Sequence, residues 1–148
     1  MTGGTTPQVG LALTPLRRCL RSVDLVAYAG ATWDWHRLHF DQAYAAERGL
    51  PGPIVDGQMF GALLVEQVQD EFGPRAQVTS VVFRFASMVY AGEPVRVDGR
   101  VVEVEETDGC HRITVDQEVT VDDEEGRTAV KGARTVVEVP VDGQEVPA

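Results

Sequence analysis

The sequence predicts an α+β fold in which an antiparallel sheet wraps around one long central helix. Two observations predict it: residues 57 to about 72 carry apolar side chains at helical spacing, and residues 77–139 form four β-branched segments. The chain has 148 residues, 43% of them apolar, which suffices for a core of its own. We therefore expect one domain over residues 1–148, with an ordered core from about 8 to 140 and frayed ends at 1–7 and 141–148.

The N-terminal part predicts short elements joined by loops. Residues 8–13 are compatible with a first strand, and Ser22 stands where the N-cap of a helix ending near Gly30 is expected. Asp41 is expected to cap a second short helix over residues 42–48. The prolines at 51 and 53 then indicate a loop before the long helix.

The long helix is expected to begin at Gly57 and to end before the Gly73-Pro74 pair. Its apolar residues recur every four positions and also occupy most other faces of its first half, which predicts a largely enclosed helix. The first set is Phe60, Leu64, Val68 and Phe72, and the second is Met59, Ala62, Leu63 and Val65.

The second half of the chain is expected to supply the sheet. Strands are predicted over residues 78–86, 95–105, 113–121 and 128–139. Apolar and polar residues alternate from Ile113 to Val121, as in an antiparallel strand with one buried face. Asp108-Gly109 and Glu125-Gly126 predict the hairpin turns.

Composition excludes several classes of partner. The net charge is −10, with 13 basic and 23 acidic residues, so we expect neither nucleic acid nor an anionic membrane surface as ligand. The sequence has no spanning apolar run and no signal-peptide pattern at its start. Cys19 and Cys110 are expected to be free thiols, and the protein is expected to be cytoplasmic.

Ionisable and aromatic residues are concentrated in one short window. Asp34, His36, His39 and Asp41 lie beside Trp33 and Trp35, and apolar neighbours shift carboxylate and imidazole pKa values as acid–base catalysis requires. Downstream, Gly57 opens the long helix, where free backbone N–H groups can stabilise an oxyanion. Together these features predict an acid–base pair beside a carbonyl-binding helix start.

Structural roles and a metal site are the alternatives for this window. Asp34 can instead cap a turn or pair with Arg37, Asp41 is a natural helix cap, and the two tryptophans can be core or dimer contacts. Four residues of this window have metal-ligand chemistry: Asp34, His36, His39 and Asp41. We expect no metal, because no third histidine or cysteine lies nearby in the sequence.

Two blocks of the sequence resemble the MaoC-like dehydratase family, which contains the (R)-specific enoyl-CoA hydratases and has the hot-dog fold. Residues 34–41 read D-W-H-R-L-H-F-D, similar to the family's D-x-N-P-x-H-x-D, and residues 54–57 read I-V-D-G, similar to its I-V-H-G. A weaker likeness covers residues 81–93. Three departures affect pocket size and polarity: Trp33 replaces a glycine, His36-Arg37 replaces Asn-Pro, and Asp56 replaces a histidine.

The resemblance implies a site and a reaction. Asp34 and His39 would be the catalytic pair for reversible syn addition of water to a trans-2-enoyl thioester, giving an (R)-3-hydroxyacyl thioester. N–H groups at Gly57 would bind the carbonyl oxygen. The other residues placed at the oxyanion and substrate-binding site are Asp56, Gln58, His36 and Trp33.

The resemblance also implies partners. The substrate would be an acyl-CoA or acyl-carrier-protein thioester, with no cofactor, and the chain would pair with a second copy or a paralogous hot-dog subunit. Residues 1–60 are neutral overall, so their arginines are expected to be available for CoA phosphates: Arg17, Arg18, Arg21, Arg37 and Arg48. The alternative functions are a non-catalytic subunit of a heteromeric hydratase and an acyl-CoA thioesterase.

Overall fold

A computed structural model describes residues 6–141 as a five-stranded sheet and three α-helices. In chain order the elements are β1 Leu16–Cys19, α1 Ser22–Thr32, a 3₁₀ helix at Arg37–His39, α2 Gln42–Glu47, α3 Gly57–Phe72, β2 Gln77–Phe85, β3 Pro94–Thr107, β4 Cys110–Val121 and β5 Thr128–Pro140. The frayed ends predicted at 1–7 and 141–148 lie mostly outside the described residues. The prediction of one domain over 1–148 includes those residues and stays a prediction.

The sheet is antiparallel throughout and packs against one face of α3. Its strand order is β1-β3-β4-β5-β2. Fully buried valines of the central strands, among them Val97 and Val119, contact the helix residues Phe60 and Leu64 in one core cluster. The α+β prediction and the long helix over 57–72 are confirmed.

The first strand and the first cap differ from the predictions. Residues 8–13 contact β3 through backbone hydrogen bonds of Gly10, Leu11 and Leu13 and an isolated bridge at Ala12, whereas the first strand lies at Leu16–Cys19. The cap position of α1 is Arg21 rather than Ser22, and the Asp24 carboxylate accepts the Arg21 N–H at 2.9 Å. The strand was missed because it is short, at the sheet edge and mostly exposed, so it lacks an alternating apolar pattern.

The prediction that α3 is largely enclosed is wrong for one side of the helix. Seven residues are buried against the sheet: Met59, Phe60, Leu63, Leu64, Gln67, Val68 and Phe72. On the opposite face, Gln58, Ala62 and Gln69 are exposed and Val65 is half-buried. A single sheet covers only one side of a helix, which leaves this second face open within the described chain.

A buried polar network connects α3 to the sheet. Gln67 donates to the carbonyl oxygens of Thr14 and Val97, both at 3.0 Å. Gln117 donates to Gln67 Oε1 at 2.9 Å and accepts from the Thr135 hydroxyl at 2.6 Å. Because these bonds satisfy buried side chains, the network fixes the position of α3 without leaving unpaired polar groups in it.

Two further predictions concern the whole described chain. Cys19 and Cys110 are both free, the first exposed and the second buried. Within residues 6–141, no helix combines the length and the apolar character needed to span a bilayer.

Candidate functional site

A left-handed residue separates α1 from the segment that carries the acidic and histidine residues. Trp33 has φ 60°, the only positive φ of a non-glycine residue in the described part of the chain. This conformation ends the helix, and the indole is 81% exposed. The following residue, Asp34, accepts the His36 N–H on Oδ1 at 3.2 Å, which closes a tight turn.

The 3₁₀ helix positions His39. His36 caps this helix, its Nδ1 accepting the Leu38 N–H at 3.2 Å. His39 Nδ1 lies 2.9 Å from the carbonyl oxygen of Ile54, which can only accept, so Nδ1 carries the proton. This bond selects the tautomer in which Nε2 is free to act as an acceptor or base.

Asp56 brings a second carboxylate close to Asp34 and His39. It caps α3, with Oδ1 accepting the Gln58 N–H at 2.9 Å. One carboxylate oxygen of Asp56, one of Asp34 and one ring nitrogen of His39 all lie within 4.8 Å of one another. Residues from three separate segments therefore converge on a space that one water molecule can bridge.

Gly57 stands at the wall of a mainly apolar cavity. The cavity has a volume of about 390 Å³ and is lined by His39, Ile54, Val55, Gly57, Phe60, Phe85, Ala86, Ser87, Met88 and Val89. As the first residue of α3, Gly57 has a backbone N–H without a partner in the helix. A Cβ atom at Gly57 would lie 2.4 Å from Cζ of Phe85, so a larger residue there would have to displace the Phe85 ring.

Tyr28 lies in the electric field of the two aspartates. Burial raises the pKa of its phenol, and the charges of Asp56 and Asp34 raise that pKa further. The phenol of Tyr28 is therefore held in its protonated, hydrogen-bond-donating form beside the two carboxylates.

The structure brings together some predicted site residues and not others. Asp34, His39 and Asp56 converge, and Gly57 lines the cavity with His39. Gln58 instead lines a groove on the open side of α3, His36 caps the 3₁₀ helix, and Trp33 points into solvent. The substrate-binding roles of these last three residues stay predictions.

Two residues of the site were missed from the sequence. Tyr28 falls only within the predicted first helix, and Phe85 only within the strand predicted over 78–86 and the weaker likeness over 81–93. The presence of Phe85 beside Gly57 had a weak signal, because a glycine at a helix start permits close approach of another group. Nothing in the local sequence of Tyr28 indicates its proximity to the aspartates.

The residues whose side chains could share a metal ion differ from the four that the sequence window suggested. Among residues 6–141, Asp34, His39 and Asp56 are the set whose donor atoms are close enough to share one ion. Asp41 is used elsewhere, because it caps α2 through the Tyr44 N–H at 3.0 Å and pairs with Arg37 at 2.7 Å. The Tyr44 N–H and Arg37 together lower the pKa of the Asp41 carboxyl.

Five arginines were expected to be available for CoA phosphates, and this is wrong for four of them, because they form ion pairs with acidic residues. The ion pairs are Arg17–Asp122, Arg18–Glu66, Arg21–Asp24 and Arg37–Asp41. Arg48 stacks on the ring of Tyr44, with its guanidinium carbon 3.3 Å from the ring centroid. The neutral charge of residues 1–60 therefore reflects internal pairing more than a free basic surface.

Comparison with solved structures identifies the fold. The chain superposes on the (R)-hydratase from A. caviae involved in PHA biosynthesis with a TM-score of 0.81 at 22% identity, covering 93% of this chain and 100% of that one. It also superposes on a chain of the ChsH1–ChsH2 complex from Mycobacterium tuberculosis with a TM-score of 0.75 at 26% identity, covering 92% and 100%. The hot-dog fold is thus shared along nearly the whole chain.

Sequence comparison identifies the family. A stretch of 78 residues is 32% identical to the mitochondrial 3-hydroxyacyl-[acyl-carrier-protein] dehydratase of Arabidopsis thaliana, covering 53% of this chain and 46% of that protein. The match therefore spans about half the length of that relative. The MaoC like domain profile matches residues 6–125, well over half of the sequence. On this match, the chain belongs to the MaoC-like domain family.

Proposed function

We propose that the protein is an (R)-specific enoyl-thioester hydratase, or in the reverse direction a 3-hydroxyacyl-thioester dehydratase. The observation that carries the proposal is the convergence of Asp34 and His39 beside the apolar cavity at the start of α3. The hydratase and dehydratase named among the similar proteins support the same reaction class. This chemistry requires two parts: an acid–base pair, and a helix start whose backbone N–H groups bind the carbonyl oxygen of the thioester.

In the proposed mechanism, Asp34 and His39 hold the reacting water. One of them removes a proton from the water as its oxygen attacks Cβ of the enoyl thioester, and Cα receives a proton on the same face. The N–H of Gly57 stabilises the negative charge that develops on the thioester oxygen. The Ile54 carbonyl holds the His39 ring, so that Nε2 faces the reaction.

The apolar walls of the cavity support the proposal that it encloses the acyl group of the substrate. Its walls include Phe60, Phe85 and Met88, and Phe85 is 58% exposed, so it stands at the open end. The charged carrier, CoA or an acyl-carrier protein, would stay outside this apolar space. We propose no cofactor, since acid–base groups alone complete the reaction.

The test is a dual assay on short- and medium-chain trans-2-enoyl-CoAs. We expect loss of the conjugated-thioester absorbance without release of free thiol. Asp34→Asn and His39→Ala should each lower kcat by about 10²-fold or more, the usual contribution of a general acid or base. The matched control is Asp98→Asn, which removes an exposed carboxylate on β3 that pairs with Arg96 and should leave turnover unchanged.

Two outcomes of the same assay would replace the proposal. Release of free thiol identifies a thioesterase. Activity that appears only after addition of a paralogous hot-dog protein identifies a subunit of a heteromeric hydratase, a possibility raised by the two-component ChsH1–ChsH2 complex. Full turnover in both Asp34→Asn and His39→Ala would exclude these residues as the catalytic pair.

A second copy of the chain is the proposed partner, bound at the free edge of β2 and the open side of α3. The other sheet edge, β1, is only four residues long and carries two arginines, which discourages pairing. Beside β2, a groove of about 530 Å³ is lined by Gln58, Gly61, Ala62, Val65, Glu66, Gln69, Asp70, Val81 and Phe83. Sedimentation should give a dimer that Ala62→Glu dissociates and that Ala46→Glu, on exposed α2 surface, leaves intact.

A further inference from the structure

Each of the three converging side chains uses one atom for a backbone contact and leaves one atom free. Asp34 accepts the His36 N–H, Asp56 accepts the Gln58 N–H, and His39 donates to the Ile54 carbonyl. Among the described residues, the second carboxylate oxygens and His39 Nε2 have no hydrogen-bond partner. The segments are thus fixed by the backbone, while three acceptor atoms remain for a ligand.

We propose that Asp56 is a third catalytic residue, which binds the reacting water and orients it for attack on Cβ. This inference rests on the proposed hydratase function and adds a residue to it. A water molecule has two hydrogens: one goes to the base of the Asp34–His39 pair and the other to the free oxygen of Asp56. With both hydrogens bound, an oxygen lone pair is directed at the substrate.

The hydrogen-bond count also assigns the proton that Cα receives. The base and Asp56 take the two hydrogens of the water, so in the proposed step the other member of the Asp34–His39 pair, in its protonated form, is the source of the proton for Cα. During hydration the water O–H bond breaks toward the base and the O–Cβ bond forms. The π electrons move toward Cα, which takes the proton from the acid. Exchange with solvent then restores both groups.

The simpler interpretation of Asp56 is a helix cap and nothing more. Capping uses only Oδ1, however, and other residues would serve, because serine and asparagine cap a helix about as well as aspartate does. The second oxygen has no structural use among residues 6–141. One of the two Asp56 carboxylate oxygens also lies within 4.8 Å of a carboxylate oxygen of Asp34 and a ring nitrogen of His39.

Asp56→Asn separates the two roles. Its amide oxygen can keep the bond to Gln58 N–H, so α3 and the melting temperature should be preserved. Its NH₂ group then occupies the position of the free oxygen, where it donates and cannot accept a hydrogen from water. We expect kcat for enoyl-CoA hydration to fall about 10²-fold, the cost of a misplaced reactant, with KM changed much less.

Calorimetry with Zn²⁺ tests the convergence without using activity. Since ligand and outer-shell changes commonly cost 10-fold or more in affinity, we expect Asp56→Asn to bind Zn²⁺ at least about tenfold more weakly than the wild type. The matched control is Asp41→Asn, another helix-cap carboxylate, which should bind Zn²⁺ like the wild type. Equal binding by Asp56→Asn and wild type would show that the three groups do not converge in solution.

Different results would contradict the role of Asp56 and the proposed hydratase function. If the wild type hydrates enoyl-CoA and folded Asp56→Asn keeps its kcat within about threefold, the role of Asp56 is wrong and the proposed function stands. If the wild type alone forms no hydroxyacyl product, the proposed function is wrong, and the role of Asp56 is wrong with it.

Discussion

His39 donates its Nδ1–H to the carbonyl oxygen of Ile54 at 2.9 Å, while the Ile54 N–H donates to the carbonyl oxygen of Leu38 at the same distance. This pair of bonds joins the 3₁₀ helix to the segment that enters α3. The candidate base and the candidate oxyanion site therefore belong to one hydrogen-bonded unit, although they are separated by a loop in the sequence.

His36 is predicted to act through His39 by capping the 3₁₀ helix. His36→Ala removes the acceptor for the Leu38 N–H and should lower kcat about tenfold, less than the 10²-fold that a 1 Å displacement can cost. His36→Asn supplies another capping acceptor and should recover most of this loss. If both variants are equally impaired in steady-state kinetics, the imidazole contacts substrate directly, as the family resemblance implies.

Gly57 is predicted to be restricted by Phe85. In Gly57→Ala the new methyl group would lie 2.4 Å from Cζ of Phe85, so the ring must move into the cavity. We expect kcat/KM to fall about tenfold, equivalent to 1.4 kcal/mol, with little change in melting temperature. The double variant Gly57→Ala/Phe85→Ala removes the clash and should exceed the single variant in activity. An unimpaired Gly57→Ala would contradict the contact.

The phenol of Tyr28 is predicted to report the charge of Asp56. Its pKa is raised by burial and by the nearby carboxylates, so Asp56→Asn should lower that pKa while Asp98→Asn should not. The measurement is phenolate absorbance against pH, with Tyr28→Phe identifying the signal among the three tyrosines. An unchanged pKa in Asp56→Asn would place Tyr28 away from the carboxylate.

The same shift has a consequence for stability at high pH. Because the folded-state pKa of Tyr28 is higher than the unfolded value of about 10, its stabilising contribution is complete below that value. The contribution is lost as pH rises through the folded pKa. Tyr28→Phe should therefore show a smaller decrease in stability over this alkaline range than the wild type, as followed by urea unfolding.

Gln117 is predicted to be essential for the attachment of α3. Gln117→Leu leaves Gln67 Oε1 and the Thr135 hydroxyl without their partner, at about 1–3 kcal/mol for each buried group. Its neighbour Asp116 forms an exposed pair with Arg134, so Asp116→Asn should cost less than about 1 kcal/mol. Urea unfolding compares them, and equal losses would argue against the network.

The elements with a strong periodic pattern were predictable from the sequence. The helix over 57–72 and the four long strands follow from apolar spacing, because a buried face imposes its period on the residues. Strand β1 and the 3₁₀ helix were not predictable in this way. They are three or four residues long, contain at most one buried residue each, and are held by partners distant in the sequence.

The segments that form the candidate site were predictable from the sequence, but the relative positions of their side chains were not. The window from Trp33 to Asp41 and the start of α3 were identified from residue type and from the family resemblance. The convergence of Asp56 with Asp34 and His39 could not be predicted there, since the tertiary fold alone brings its carboxylate close to these two residues. Likewise, the partners of Arg17 and Arg18 are acids far along the chain, Asp122 and Glu66.

The left-handed turn at Trp33 gives the protein a built-in optical probe. Both tryptophans of the chain flank Asp34, and their rings lie 6.1 Å apart in an edge-to-face arrangement. All indole fluorescence therefore originates beside the candidate catalytic carboxylate, with one emitter in solvent and the other touching Phe40. Occupancy of the site can be followed in the unlabelled protein, including variants that no longer turn over substrate.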